Sequence, residues 1–248
     1  MTKIAFAAPA EITIRRKCET TSLVFVVSSI KMMVVTLNNK TPYFEKKPSS
    51  LRYFQEGPAP IDVDSWRLTI CGEVSREIAL SYDDLLSLPT TSAHRRNVCV
   101  CLWSIKRYWE GVLLRDVLAL AGVEVEDPAL YIRQLSHGTE KGVYDSTVHL
   151  KSAIEHDALL ALRVDGEQLP LENGFPLRFI DFGLYLYKCV KALGRIEVTR
   201  ENKIGFWEDY AGYSLDGTIQ PKRYYAVDLQ KKFYFDGVGE VLDSDLTT

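Results

Sequence analysis

Two cysteines stand two residues apart in the apolar stretch RNVCVCLWSIKRYWEGV, residues 96–112. Cys99 and Cys101 could form a disulfide, half of a zinc site, a redox pair, or one metal ligand beside an uninvolved neighbour. The β-forming residues of this run predict a buried strand over 97–102, with both sulfur atoms on one face. That spacing does not give ordinary disulfide geometry. Both side chains could also be small buried apolar residues, as free cysteine often is.

A second group of candidate residues carries positive charge near a turn. It comprises Asn173, Arg178, Lys188 and Lys191. On strand-like, otherwise apolar segments, buried cations need a counter-charge or an anionic ligand. Phosphate is a natural candidate, because arginine offers a bidentate fork and lysine a point charge. The alternative is ordinary ion pairing with nearby acids such as Asp181 or Glu197.

The bulk properties exclude several classes of protein. The chain has 248 residues, enough to bury a sizeable core, and a net charge of −3 without a block of basic residues. We therefore expect no binding to nucleic acid. Five sparse cysteines do not resemble a secreted disulfide framework, and no second ligand pair completes a zinc site. Reduced thiols and a cytoplasmic location are expected.

The N-terminal region raises export from the cytoplasm as an alternative location. Arg15-Arg16 precede the apolar run Leu23–Ile30, an arrangement like a degenerate twin-arginine export signal. Glu19 interrupts the gap, Lys31 ends the run and no A-x-A site follows, so a β-rich extension or an unassigned leader is the preferred interpretation. The run is far shorter than the roughly 20 residues that span a bilayer, and no stable membrane span is expected.

The elements that must position these side chains are short. We predict a helix over Asp83–Leu88, started by a capping box at Ser81 and stopped by Pro89, and a helix over 114–121 closed by Gly122. The other predicted elements are strands over 66–71, 129–135, 143–150, 176–180 and 195–199, and a helix over 151–160. Many short strands with few helices predict an α+β fold with mixed β-sheets and short helices. A Rossmann unit is not expected, because no G-x-G-x-x-G follows a strand.

Several motifs together resemble one known family. The segment CVCLWS…WEGVLLRDVLALAG is similar to the C-V-x-x-W-S…W-x-G-x-x-L-x-x-L-L signature of the oxidoreductase molybdopterin-binding family, which includes sulfite oxidases and the catalytic subunit of protein-methionine-sulfoxide reductase. The likeness extends upstream through WRLTICGEV…LSYDDLLSLP. Downstream it covers LLALRVDGEQLPLENGFPLRF and the Y-K-x-x-K pattern at 187–191. It spans roughly residues 61–210 and implies a sulfite-oxidase-like molybdopterin-binding fold.

The resemblance implies a role for each matching residue. Cys99 falls at the position of the thiolate that binds molybdenum, whereas Cys101 falls at a variable position. The remaining positions implied to contact the molybdenum–molybdopterin cofactor are Asn39, Tyr43, Phe44, Ser136, His137, Asn173, Arg178, Cys189, Val190 and Lys191. The implied ligand supplies the anion that the Arg178 and Lys191 pair lacks, since molybdopterin carries a phosphate.

Two departures from the family pattern concern the substrate. Leu162 stands in LLALRVDG where sulfite oxidases carry a tyrosine, and LWSIKRYW replaces their arginine-rich stretch after the ligand cysteine. Lys106, Arg107 and Tyr108 are candidate pocket-wall residues, with a solvated loop as the alternative. No haem-binding segment and no room for an added dimerisation domain are found, so we expect a separate electron-transfer partner.

These observations predict residues 1–50 as an N-terminal extension and irregular arm, and residues 51–248 as the molybdopterin-binding catalytic domain. The resemblance implies a molybdenum-pterin-dependent oxidoreductase that performs two-electron oxygen-atom transfer on a small substrate, with a sulfoxide or sulfite-like compound as the candidate class. The alternative is a non-catalytic or thiol-redox module that retains the fold without molybdenum.

Overall fold

A computed structural model describes residues 60–138, 142–237 and 239–241 of the chain. Within these ranges there are four short α-helices and thirteen strands. The helices are α1 (Tyr82–Leu86), α2 (Leu114–Leu120), α3 (Leu150–Glu155) and α4 (Phe206–Ala211). The strands are β1 (Leu68–Gly72), β2 (Ile78–Leu80), β3 (Thr91–Val98), β4 (Trp103–Leu113), β5 (Tyr131–Ser136), β6 (Asp145–His149), β7 (Leu159–Val164), β8 (Glu167–Gln168), β9 (Arg178–Ile180), β10 (Leu193–Thr199), β11 (Lys222–Ala226), β12 (Lys231–Phe235) and β13 (Glu240–Val241).

The strands form two sheets with both parallel and antiparallel pairs. One sheet has the order β2-β1-β10-β5-β6, and the other β13-β12-β11-β4-β7-β8, with β3 paired to β4 and β9 paired to β7. Most neighbours are antiparallel, but β1 runs parallel to β10 and β11 runs parallel to β4. The α+β class with mixed sheets is confirmed.

Two apolar clusters hold the sheets in place. The larger one takes buried residues from both sheets and from α2, whose Leu114, Val117 and Leu118 are fully buried. The smaller one surrounds Trp109 and Phe182 on one face of the second sheet. Leu68 and Ile70 of β1 are buried on one face of the strand, as expected when that face is apolar.

Local sequence signals set the helix ends. Ser81 and Asp84 form a reciprocal capping box at the start of α1, as predicted. Gly122 follows α2 with a φ of +67°, a conformation that glycine adopts without a steric penalty. The predicted helix over 151–160 is too long, because the chain leaves α3 at Glu155 and enters β7 at Leu159.

The predicted strand over 97–102 is wrong at the position that matters most. Strand β3 ends at Val98, and Cys99–Leu102 form the turn of a hairpin that returns along β4. The Leu102 N–H donates to the Cys99 carbonyl at 3.0 Å, and the Cys99 N–H donates to the Trp103 carbonyl at 2.7 Å. Leu102 adopts a φ of +66° to close this turn.

Candidate functional site

The turn between β3 and β4 gives the two cysteines different surroundings. Cys99 is partly buried, whereas Cys101 is exposed at the tip of the turn. The Cys101 backbone N–H lies 3.4 Å from the Cys99 Sγ and donates to it. The expectation of two equivalent sulfur atoms on one strand face is therefore wrong, and Cys99 is the better enclosed of the two.

The surroundings of Cys99 favour the protonated thiol unless a cation lies beside the sulfur. Burial raises the pKa of Cys99 to about 12, and the Cys101 N–H opposes this only in part. A thiolate at this position therefore requires a cation beside the sulfur, and a bound metal supplies one. Burial raises the pKa of the Tyr213 hydroxyl, and the nearby Cys101 and Cys99 thiols add to this increase.

Arg178 is a buried cation at the start of β9. Its side chain lies over the Trp109 ring at 5.4 Å, and its Nη1 donates to the Asn173 carbonyl at 3.2 Å. Its Nε is buried with no hydrogen-bond partner among the described residues, and no carboxylate in those ranges forms an ion pair with it. The predicted alternative of ion pairing with Asp181 or Glu197 is thus not observed for Arg178.

Asp181 and Glu197 interact with other basic side chains instead. Asp181 accepts from the His156 Nδ1 at 2.8 Å, and this hydrogen bond raises the pKa of His156. Glu197 lies 2.7 Å from the Lys203 Nζ and 3.7 Å from an Arg133 nitrogen.

Lys191 lies beside Arg178, and the positive charge of Arg178 affects the pKa of Lys191. Burial, together with the Arg178 guanidinium, lowers the pKa of Lys191 to about 7, and its Nζ donates to the Glu172 carbonyl at 2.7 Å. Two cations held this close create a position where an anion is favourable.

A glycine turn brings Gly174, the residue after Asn173, against Lys191. Gly174 follows the 3₁₀ turn Leu171–Asn173 with a φ of +110°, and a Cβ at this position would stand 3.0 Å from the Lys191 Cβ. The Ala192 N–H donates to the Gly174 carbonyl at 3.1 Å. The structure thereby brings together three predicted residues, Asn173, Arg178 and Lys191.

Lys188 does not belong to this cationic group. It is fully buried, forms an ion pair with Glu208, and donates to the Thr147 carbonyl at 2.9 Å. The prediction that two lysines and an arginine share an anionic ligand is therefore corrected to one lysine and one arginine.

The backbone of Cys189-Val190 is held by Gln134, a residue that the sequence analysis missed. The Gln134 Nε2 donates to the Lys188 carbonyl at 3.0 Å, and its Oε1 accepts from the Val190 N–H at 3.2 Å. Gln134 is fully buried on β5, about fifty residues upstream, so no local sequence signal links it to this loop. Burial raises the pKa of the Cys189 thiol to about 12.

Ser136 and His137 border the same loop at the end of β5. Ser136 lies opposite Leu193 in the sheet, and its Oγ accepts from the Tyr144 N–H at 2.8 Å. The His137 N–H donates to the Ala192 carbonyl at 2.6 Å. His137 therefore contacts the residue after Lys191, and Ser136 lies opposite the residue two positions after it.

The other predicted site residues have separate outcomes. Asn39, Tyr43 and Phe44 lie outside the described residues. Lys106, Arg107 and Tyr108 belong to strand β4 rather than to a loop, with Arg107 paired to Asp165 and Tyr108 stacked on His94.

Three findings concern the rest of the described chain. Leu162 is part of the larger core cluster and is 2% exposed. Within residues 60–138, 142–237 and 239–241, no three His, Cys, Asp or Glu side chains converge to hold a metal. None of the helices in the same ranges has the length and apolar character that crossing a membrane requires.

Comparison with known proteins identifies relatives of this arrangement. A model of the oxidoreductase molybdopterin binding domain matches residues 56–207. The chain is 32% identical over 183 residues to the uncharacterized oxidoreductase YuiH of Bacillus subtilis (strain 168), covering 73% of this chain and 89% of that protein. It is 27% identical over 164 residues to the protein-methionine-sulfoxide reductase catalytic subunit MsrP of Campylobacter jejuni, covering 60% of this chain and 54% of that protein.

More distant relatives support the same fold. Mitochondrial sulfite oxidase of Homo sapiens is 29% identical over 184 residues, covering 63% of this chain and 34% of that protein. The crystal structure of the sulfane dehydrogenase SoxCD from Paracoccus pantotrophus superimposes with a TM-score of 0.53 at 20% identity, covering 62% of this chain and 43% of that one. The family model covers more than half of the chain, and the chain therefore belongs to the oxidoreductase molybdopterin-binding domain family.

Proposed function

We propose that this chain is a molybdenum–molybdopterin-dependent oxidoreductase that transfers an oxygen atom to or from a small sulfur-containing substrate, such as a sulfoxide or a sulfite-like compound. The observation that carries the proposal is Arg178, a buried guanidinium without a carboxylate partner among the described residues, next to Lys191. A ligand phosphate would neutralise Arg178 and accept from its Nε, with Lys191 as a second cation beside it.

The described residues fit this cofactor in chemistry as well as charge. Cys99 would hold the molybdenum as a thiolate, and the Cys101 N–H that reaches its sulfur would support the negative charge. Arg178 and Lys191 would bind the phosphate. Asn173, Ser136, His137 and the Cys189-Val190 backbone would enclose the pterin, with Asn39, Tyr43 and Phe44 as further contacts. When bound, molybdenum supplies two-electron oxygen-atom chemistry, while the protein orients the reactants and excludes water.

The substrate class rests on the relatives and on Leu162. Their names include a sulfite oxidase, a protein-methionine-sulfoxide reductase subunit and a sulfane dehydrogenase. The chain spans 54% of MsrP and 34% of sulfite oxidase, so their whole activities are not transferred. Leu162 stands where sulfite oxidases carry a tyrosine near the substrate, and this departure argues against a site built for anionic sulfite.

A separate electron-transfer partner and a cytoplasmic location complete the proposal, with residues 51–248 as the catalytic domain. A two-electron metal site needs a partner that resupplies or removes electrons after each turnover. Cys71 forms a disulfide, which corrects the expectation of reduced thiols at that position, and the proposed location rests on the sparse cysteine content of the sequence. Cell fractionation with antibody detection tests it, and recovery in an exported fraction would contradict it.

Elemental analysis of the purified full-length protein and of two cysteine variants tests the function. We expect molybdenum near one atom per chain, loss of the metal and of sulfoxide reduction in Cys99→Ser, and nearly unchanged metal content in Cys101→Ser. A folded wild-type protein that contains no molybdenum, and cannot be loaded with it, would instead favour the non-catalytic or thiol-redox alternative. A metal loss in Cys101→Ser alone would overturn the ligand assignment.

A further inference from the structure

Asn97 is a buried amide without a partner. The residue is 3% exposed at the end of β3, and neither its Nδ2 nor its Oδ1 forms a hydrogen bond within the part of the chain that the structure describes. Leaving a buried donor and a buried acceptor unpaired is unfavourable, and such groups are rare in folded proteins. The amide therefore contributes nothing to the hairpin through hydrogen bonding, and an apolar side chain of its size would fit the protein alone better.

The strand register shows which face of the sheet Asn97 occupies. Residues 93, 95 and 97 of β3 share one face because side chains alternate along a strand. Ala93 lies opposite Trp109, and both belong to the smaller apolar cluster that Phe182 completes. The Arg95 guanidinium lies 4.5 Å from the centre of the same Phe182 ring. Asn97 therefore lies on the same face of the sheet as the Trp109 ring, and the Arg178 side chain lies over that ring.

The neighbouring residues of β3 confirm this orientation. Arg96 points to the opposite face, where it binds Asp228 and lies over the Phe233 ring. Val98 belongs to the larger core cluster.

Asn97 lies between the two anchors of the proposed cofactor. It precedes Cys99 by two residues, about 7 Å along an extended chain, and follows Ala93 by four, about 13 Å. Ala93 lies opposite Trp109 in the sheet, and the Arg178 side chain lies over the Trp109 ring, so the four residues from Ala93 to Asn97 separate Asn97 from the Arg178 end of the site. A molecule held by its metal at Cys99 and by its phosphate at Arg178 passes Asn97.

We propose that Asn97 binds the pterin ring of molybdopterin, donating from Nδ2 and accepting at Oδ1. A pterin presents adjacent N–H donors and ring nitrogen or carbonyl acceptors along one edge. A primary amide matches such an edge with one donor and one acceptor and adds no charge beside the Cys99 thiolate. This proposal rests on the proposed function, since it names a further binding residue for the same cofactor.

The variant Asn97→Leu tests the proposal, with two readouts that do not depend on activity. The first is the rate at which purified protein releases pterin, measured by fluorescence after gel filtration. The second is the urea midpoint of the full-length protein made without cofactor. We expect release at least tenfold faster, since even one of the two buried hydrogen bonds is worth about that factor, and a higher midpoint, because the unpaired amide is gone.

Thr147→Val is the matched control, because Thr147 is fully buried in the other sheet with its Oγ1 unpartnered among the described residues. It should raise the midpoint in the same way and leave pterin release unchanged. If Asn97→Leu does not accumulate, Asn97→Ala removes the same amide without added bulk, and we expect the same increase in the release rate.

The outcomes separate this proposal from the proposed function. Wild-type protein that takes up no pterin overturns both. Wild-type protein that binds pterin, with unchanged release in the Asn97 variants, overturns only the role of Asn97. Faster release together with a lower midpoint for Asn97→Leu means that the amide supports the fold, and this also overturns the proposal.

Discussion

Lys188 and Arg178 are both buried cations, ten residues apart, in opposite situations. Lys188 has a carboxylate partner in Glu208 and a carbonyl partner in Thr147. Arg178 has the Asn173 carbonyl and the Trp109 ring, and within the described residues no carboxylate. A buried cation with its own counter-charge is part of the scaffold, whereas one that lacks it indicates a site for an anionic ligand.

The largest expected effect comes from breaking the scaffold pair. Lys188→Met leaves Glu208 buried without its partner, and the free energy of unfolding should fall by about 3–5 kcal/mol. Urea denaturation of the purified protein measures this. The double variant Lys188→Met/Glu208→Leu replaces both charges by apolar groups and should recover most of the loss. A loss below about 1 kcal/mol in the single variant would contradict the scaffold role.

Gln134 holds the loop that carries Lys188 and Lys191, so removing it should affect both folding and cofactor binding. In Gln134→Leu the Lys188 carbonyl and the Val190 N–H lose their partner, and we expect a loss of about 2 kcal/mol in the free energy of unfolding. The pterin content of the purified protein should also fall. Gln168→Leu removes an exposed glutamine amide and serves as the control. Equal stability of the two variants would argue against a stabilising role for the two Gln134 hydrogen bonds.

Arg178→Met, unlike Lys188→Met, should reduce cofactor binding rather than the stability of the cofactor-free protein. The cofactor-free protein should keep its stability to within about 1 kcal/mol, because no ion pair within the described residues is lost and the lost hydrogen bond to the Asn173 carbonyl is offset by removal of a buried charge. Pterin retention should fall about a hundredfold, as two charge-assisted hydrogen bonds to phosphate are removed. Arg115→Met, which breaks an exposed ion pair with Asp157, provides the comparison. A destabilised apo-protein with normal pterin retention would assign Arg178 to the scaffold instead.

The smallest effect concerns the pH dependence of anion binding at Lys191. Its pKa of about 7 lies far below the usual 10.5 of a lysine, so the folded state releases a proton that the unfolded chain keeps between these values. Lys191 therefore makes folding more favourable as the pH rises from 7 towards 10.

A bound anion needs the protonated form. Sulfate, whose charge is constant in this range, should bind the cofactor-free protein about tenfold more weakly at pH 8 than at pH 6. Lys191→Met should remove that dependence, and titration followed by thermal unfolding measures it. The same tenfold change in Lys191→Met would show that another group titrates.

Some of these features follow directly from the sequence. The capping box at Ser81 and the glycine after α2 act over three or four residues, so local patterns predict them. The predictions for Asn173, Arg178 and Lys191 came from the resemblance together with the turn signal, and the structure brings these residues together.

Other features depend on contacts between distant parts of the chain. The sequence does not reveal that Glu208 serves Lys188, because twenty residues separate them. Gln134 contacts the 188–190 loop from strand β5, far away in the sequence. The turn at Cys99–Leu102 escaped prediction because it contains none of the usual turn residues and uses a leucine at positive φ.

The exposure of Cys101 at the hairpin tip has a practical consequence. Among the described free cysteines it is the exposed one, while Cys189 is buried and Cys99 is partly buried with a high pKa. A maleimide dye or nitroxide should therefore attach selectively at Cys101, two residues from the proposed metal ligand. Such a label would turn the native chain into its own reporter of cofactor loading and partner approach.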